Sequence, residues 1–172
     1  MAAMLILAAA VAGAAVAAPD PVAPAWRGEM QCYGPDIARR TCNALGSYAR
    51  NADGGIDNTA IVLVSPSPPV TMTTVTRVVI KAGQVCGQVR EQDIDAARFA
   101  MGGQLLDAVH SEALRREMKA GMQTIAGHEI CTAYVPDGDL LAATVTVDGV
   151  ARPELDDKVV WIAPAAGYKV AP

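Results

Sequence analysis

Aromatic side chains are scarce in this chain: one Phe, two Trp and four Tyr make up 4% of 172 residues. Lys and Arg are scattered, without a basic stripe, and the formal net charge is −4. Nucleic acid requires clustered cations and stacking platforms, so nucleic-acid binding is disfavoured. Histidine is nearly absent, with only His110 and His128. There is no C-x-x-C dithiol, which argues against thioredoxin-type redox chemistry, and no C-x₂-C knuckle for zinc. A G-x-S-x-G elbow, an H-E-x-x-H pair, a phosphate-binding glycine loop and a dinucleotide fingerprint are all missing. The residues therefore imply no cofactor and no metal.

What is present begins with an apolar, Ala-rich run from Met4 to Ala17, ending Ala15-Val16-Ala17 before Ala18-Pro19-Asp20. Small residues at −3 and −1 fit signal-peptidase cleavage after Ala17, although Met1-Ala2-Ala3 supplies no basic side chain. Residues 1–17 are thus expected to be a signal peptide, and no later run is long and apolar enough to span a bilayer. The expected organisation is an extended Pro-rich segment over 18–25, followed by one domain over 26–172. A periplasmic or secreted location follows from the leader.

Four cysteines, an even number, remain in a chain that reads as exported, which favours two disulfides. Of three connectivities, Cys32–Cys42 with Cys86–Cys131 is preferred. The first closes a local loop through Gly34-Pro35-Asp36. The second ties two strand-like segments, Gln84–Val89 and His128–Val135, across an intervening helix. Loop entropy would give them roughly 2.7 and 4 kcal/mol respectively.

Between these anchors the pattern is mostly β. Leu45–Arg50 and Thr59–Val64 read as hairpin arms around Asn51-Ala52-Asp53-Gly54-Gly55. Val70–Ile80 reads as a long strand with Val70, Met72, Thr74, Thr76, Val78 and Ile80 on one face. The prolines of Ser65–Pro69 should interrupt the ladder before it. Further strands are expected at Arg98–Met101, Leu140–Val147 and Lys158–Ile162. One amphipathic helix, Leu105 to Ala126, carries Leu114, Met118, Met122 and Ile125 along its apolar line. The expected class is α+β: a mainly antiparallel sheet with this helix packed on one face and two disulfides.

The candidate chemistry is thin. His128 with Glu129 sits at a helix-to-strand corner, where a general base could be held. The bland alternative is a histidine at a helix C-terminus. His110, near the helix start, reads as structural. Asn51, Asp53, Asp57 and Asn58 surround a turn, but Gly55 occupies a ligand position and the closing Glu of a calcium loop is absent. Asp137 with Asp139 offers only two carboxylates.

The expected function is an exported, non-catalytic domain binding another envelope or secreted protein. The contact surfaces would be the Val70–Ile80 strand, if it is an edge, and the loop Ser65–Pro69. The rivals are a small envelope hydrolase using His128 with Glu129, and a structural envelope component. The intact mass of the exported protein, with and without reduction, tests the leader and the bridges together. The expected result is a chain beginning at Ala18 that gains four hydrogens on reduction; four free thiols before reduction would contradict it.

Overall fold

The structure is a computed structural model that describes residues 19–172. The leader expected over 1–17 lies outside the described residues. The first strands are β1 (Met30–Tyr33), β2 (Thr41–Cys42), β3 (Ala44–Arg50), β4 (Ile56–Pro66), β5 (Pro69–Lys81) and β6 (Gln84–Gln88). Then come α1 (Glu91–Asp95), β7 (Arg98–Met101), β8 (Gln104–Leu105) and α2 (Ala108–Gly121). The chain ends with β9 (Glu129–Asp137), β10 (Leu140–Val147), β11 (Val150–Ala151), β12 (Asp157–Ile162) and β13 (Lys169–Val170).

Eight strands, β1, β3, β4, β5, β6, β9, β10 and β12, pair in chain order, each antiparallel to the next. The last then pairs with the first, from Met30 opposite Ile162 to Tyr33 opposite Val159. The sheet therefore closes into an up-and-down barrel. This corrects the α+β expectation of a sheet with a helix lying on one face. The strands were largely legible, but short antiparallel strands look the same in an open sheet and in a barrel. What separates the two is a pairing between residues about 130 positions apart, which no local pattern carries.

β5 serves two neighbours on one side. Val70–Thr73 pairs with β7 and Val78–Lys81 with β6, while β4 runs along the other side. The strand expected as a possible edge is thus flanked over most of its length. Ser65–Pro69 does not end the ladder either: Ser65 pairs with Val70 and Pro66 with Pro69, leaving only a tight turn, after a bulge between Leu63 and Ser65.

One end of the barrel is stoppered by the segment over residues 20–27, ahead of β1. The Pro-rich segment expected to be extended forms a 3-10 turn at Ala23–Arg27. Val22, 0% exposed, and Ala25 pack against Tyr48, Ile56, Val78 and Val85. Asp20 orders the turn by accepting from the Val22 amide at 3.0 Å and from Trp26 Nε1 at 2.7 Å. The Arg50 guanidinium lies 4.4 Å from the centre of the Trp26 ring, a cation–π contact.

At the opposite end the chain leaves the wall between β6 and β9 and builds a cover. Leu114 and Met118 of α2 pack against Met72, Ala97 and Phe99. Asp107 caps the helix by accepting from the His110 amide at 2.9 Å. The helix ends at Gly121, short of Ala126, as expected for a residue that loses the most backbone freedom when helical. Turns then lead to Gly127, whose N–H donates to Val89 O at 3.0 Å. Lys119 of α2 pairs with Asp95 of α1 at 2.6 Å, joining the two helices of the cover.

Both expected disulfides are present, Cys32–Cys42 and Cys86–Cys131. Such bridges belong to an oxidising compartment. Cys32–Cys42 sits with Leu45 and Ile162 under Tyr168 and Val170, where β13 pairs parallel to β2 and straps the outside of the wall. Cys86 lies directly opposite Cys131 in the β6–β9 ladder, at the root of the cover. Replacing both by Ser (Cys86→Ser with Cys131→Ser) should lower the unfolding free energy by about 4 kcal/mol, the loop-entropy value for this span, in a denaturant titration. A loss under about 1 kcal/mol would show that the ladder alone holds the cover's root.

Candidate functional site

Period-2 alternation sends every second residue of each barrel strand inward. Closure turns those inner faces into the wall of a cavity of about 290 Å³ between the N-terminal stopper and the cover. Asn58, Ala60 and Val62 come from β4, and Met72, Thr74, Thr76 and Val78 from β5. Val85 and Gly87 come from β6, and Ile130, Thr132 and Tyr134 from β9. Val89, Asp93, Ile94 and Met122 roof it from the cover. Of the two alternating faces of Val70–Ile80, the one that carries Met72, Thr74, Thr76 and Val78 is the inner one.

The floor is polar. Tyr33, Tyr48 and Tyr134, from three different strands, converge on Gln31, which is 0% exposed. The Gln31 carbonyl oxygen accepts from Tyr48 at 2.8 Å and Tyr33 at 2.9 Å, with Tyr134 at 3.3 Å. The hydroxyls of Tyr33 and Tyr134 lie 2.6 Å apart, and those of Tyr48 and Tyr134 3.4 Å apart. Gln31 Nε2 is buried without a hydrogen-bond partner among the described residues. Leaving such a donor unpaired costs about 1–3 kcal/mol, so the cluster is held by its surroundings against a local penalty. Burial, and then the neighbouring Tyr134, push the Tyr33 and Tyr48 hydroxyls well above the usual phenol range. Both are therefore neutral at any physiological pH.

The roof holds the one ionisable side chain besides tyrosine that borders the cavity, Asp93, which is 7% exposed. Arg90 satisfies it with three donors: Nη2 at 2.8 Å, Nε at 3.2 Å and its backbone N–H at 3.1 Å. The last of these is the return bond of a capping box at the start of α1. No Lys, Arg or His lines the cavity among the described residues. Its chemistry is that of a mostly apolar chamber with neutral hydroxyls at one end.

The residues singled out from sequence lie elsewhere. His128 is 49% exposed at the outer surface, and its Nδ1 lies 2.6 Å from Asp148 Oδ2. That hydrogen bond, with one from the Glu129 amide, holds the Asp148 carboxyl below its usual range. Glu129 pairs with Lys81 and borders a shallow outer groove with Arg77, Val79 and Arg90. The two residues thus do not converge, and neither lines the interior. Glu129 also lies near the sulfurs of Cys86 and Cys131, but both sulfurs are consumed in the disulfide. His110 pairs with Asp107 beside the helix cap, Asp53 and Asp57 pair with Arg77, and Asp137 pairs with Lys158.

Sequence reasoning missed Gln31, Tyr33, Tyr48 and Tyr134. One signal was available: Gln31 and Tyr33 share a face of β1, and three of four tyrosines fall on strands. Comparison with protein families, with curated proteins and with solved structures finds no match to this chain.

The raised pKa values fix a pH dependence. In the unfolded chain these phenols ionise near pH 10, while the folded state keeps them protonated to higher pH. Their contribution is therefore intact below about pH 10 and is lost as pH rises above it. Stability measured by denaturant should fall above that pH, and less steeply in Tyr33→Phe or Tyr48→Phe. Equal slopes in wild type and both variants would contradict the assignment.

Proposed function

We propose that this chain is an exported, non-catalytic binding protein whose barrel holds one small molecule. The observation that carries the reading is the roofed chamber of about 290 Å³, apolar along its walls and polar at one end. Ligand sites are typically concave and mostly apolar, with a few convergent polar groups that fix orientation. An eight-stranded barrel is just wide enough either to fill with side chains or to hold one small ligand. Here inward Ala60, Thr74, Thr76, Gly87 and Thr132 keep the bore open. A location in the periplasm or outside the cell agrees with the leader and with the oxidised cysteines.

A small-molecule ligand replaces the macromolecular partner reached from sequence. Main-chain capture of an extended partner needs a free strand edge, and β5 offers only short ones, Thr74–Arg77 on the β6–β7 side and Val79–Lys81 on the β4 side. The hydrolase reading needs His128 to meet a pocket, and His128 lines neither the chamber nor the outer groove beside Glu129.

Naphthalene serves as a neutral, apolar test ligand. It should bind with saturable amide shifts in nuclear magnetic resonance spectra at Thr74, Thr132 and Tyr134. Ala60→Phe, which puts a ring into the bore, should abolish those shifts, and Thr132→Leu should weaken them. Circular dichroism confirms that each variant is folded. Naphthalene binding unchanged in both folded variants would overturn the reading.

A further inference from the structure

We infer that the chamber selects an uncharged ligand carrying a hydrogen-bond donor, a phenol or alcohol of about two-ring size. This rests on the reading of the barrel interior as a binding site, and it follows from size, charge and proton counting.

Size comes first. A cavity of roughly 150 Å³ suffices for one benzene ring, so about 290 Å³ accommodates a fused pair of rings. Charge comes second. An anionic ligand would be stripped of water in a chamber without a lining cation, and Asp93 is the only carboxylate at its rim. Burying an ion without a partner costs several kcal/mol. A cationic ligand fares no better, because the Arg90 guanidinium, bonded to both oxygens of Asp93, already balances its charge. A neutral ligand remains.

Proton counting then separates donors from acceptors. The floor brings together four oxygens, three phenolic and the Gln31 carbonyl, in five contacts between 2.6 and 3.4 Å. Three phenols supply only three O–H protons. Tyr48 spends its proton on the Gln31 carbonyl, and Tyr33 and Tyr134 spend theirs on that carbonyl or on each other at 2.6 Å. Every phenolic proton is therefore committed within the cluster, and the unpaired N–H protons belong to Gln31, which does not line the chamber, whereas Tyr33, Tyr48 and Tyr134 line it and keep spare lone pairs. A ligand O–H meets those lone pairs without disrupting the cluster. A ligand that only accepts must break an existing bond to be served. The neutral state of Tyr33 and Tyr48, imposed by burial, keeps the arrangement unchanged across physiological pH.

The test compares 1-naphthol, 1-methoxynaphthalene, naphthalene and 1-naphthoate by the same magnetic-resonance titration of the full exported chain. Naphthol should bind about tenfold tighter than its methyl ether, the factor expected from one buried hydrogen bond, and naphthoate should not bind. Tyr134→Phe should remove most of the naphthol preference, read as the ratio of naphthol to naphthalene affinity in the same variant. Tyr168→Phe, a tyrosine outside the chamber, should leave both unchanged. An ether that binds as tightly as naphthol, or naphthoate that binds at all tightly, would overturn the inference and leave the cavity reading standing. Absence of binding by every probe, naphthalene included, would overturn both.

Discussion

The whole arrangement depends on the ladder between β1 and β12. Four residues near the start of the described chain, Met30–Tyr33, pair with four near its end, Val159–Ile162. That pairing converts a meander with two free edges into a closed wall and gives it an inside. It also sets Gln31 and Tyr33 facing across the bore toward Tyr134. The stopper and the C-terminal strap both reinforce this seam. Val22 and Ala25 pack inside with Trp161 against the same cluster, while Cys32, Leu45 and Ile162 pack outside under Tyr168 and Val170.

The second constraint is the exit from the wall between β6 and β9. A barrel strand pair normally needs only a short turn, yet here the chain departs for α1, β7, β8 and α2 before returning. The Cys86–Cys131 bridge holds the two departing strands at the root of that excursion. Above it, the Gly127 amide reaches Val89 O, and Lys119 reaches Asp95. The cover is thus a braced unit. Its residues Ile94 and Met122 line the chamber at the end opposite the floor.

Much of the fold was legible because strands report themselves locally. The alternation of Val70–Ile80 and the Asp53-Gly54-Gly55 turn follow from spacing, and the cysteine pairing preferred among three is the one present. Alternation separates the two faces of β5, but only closure makes one of them inner. Closure was not legible, since it is a contact between distant segments, and the roles of Gln31, Tyr33, Tyr48 and Tyr134 exist only once the barrel closes. His128 and Glu129 drew attention because a histidine beside a carboxylate is a familiar local signal. Their side chains instead point to different partners, Asp148 and Lys81. The Pro-rich segment misled in the same way: prolines that suit an extended linker also suit a 3-10 turn, and the buried Val22 decides between them.

The central claim is that small apolar molecules enter the barrel rather than settle on its surface. Methionine methyl groups report on this directly, because Met72 and Met122 line the chamber while Met101 is exposed outside it. In a sample labelled with carbon-13 at the methionine methyls, added naphthalene should shift the Met72 and Met122 signals and leave Met101 in place. Movement of Met101 alone, with Met72 and Met122 unmoved, would contradict the account.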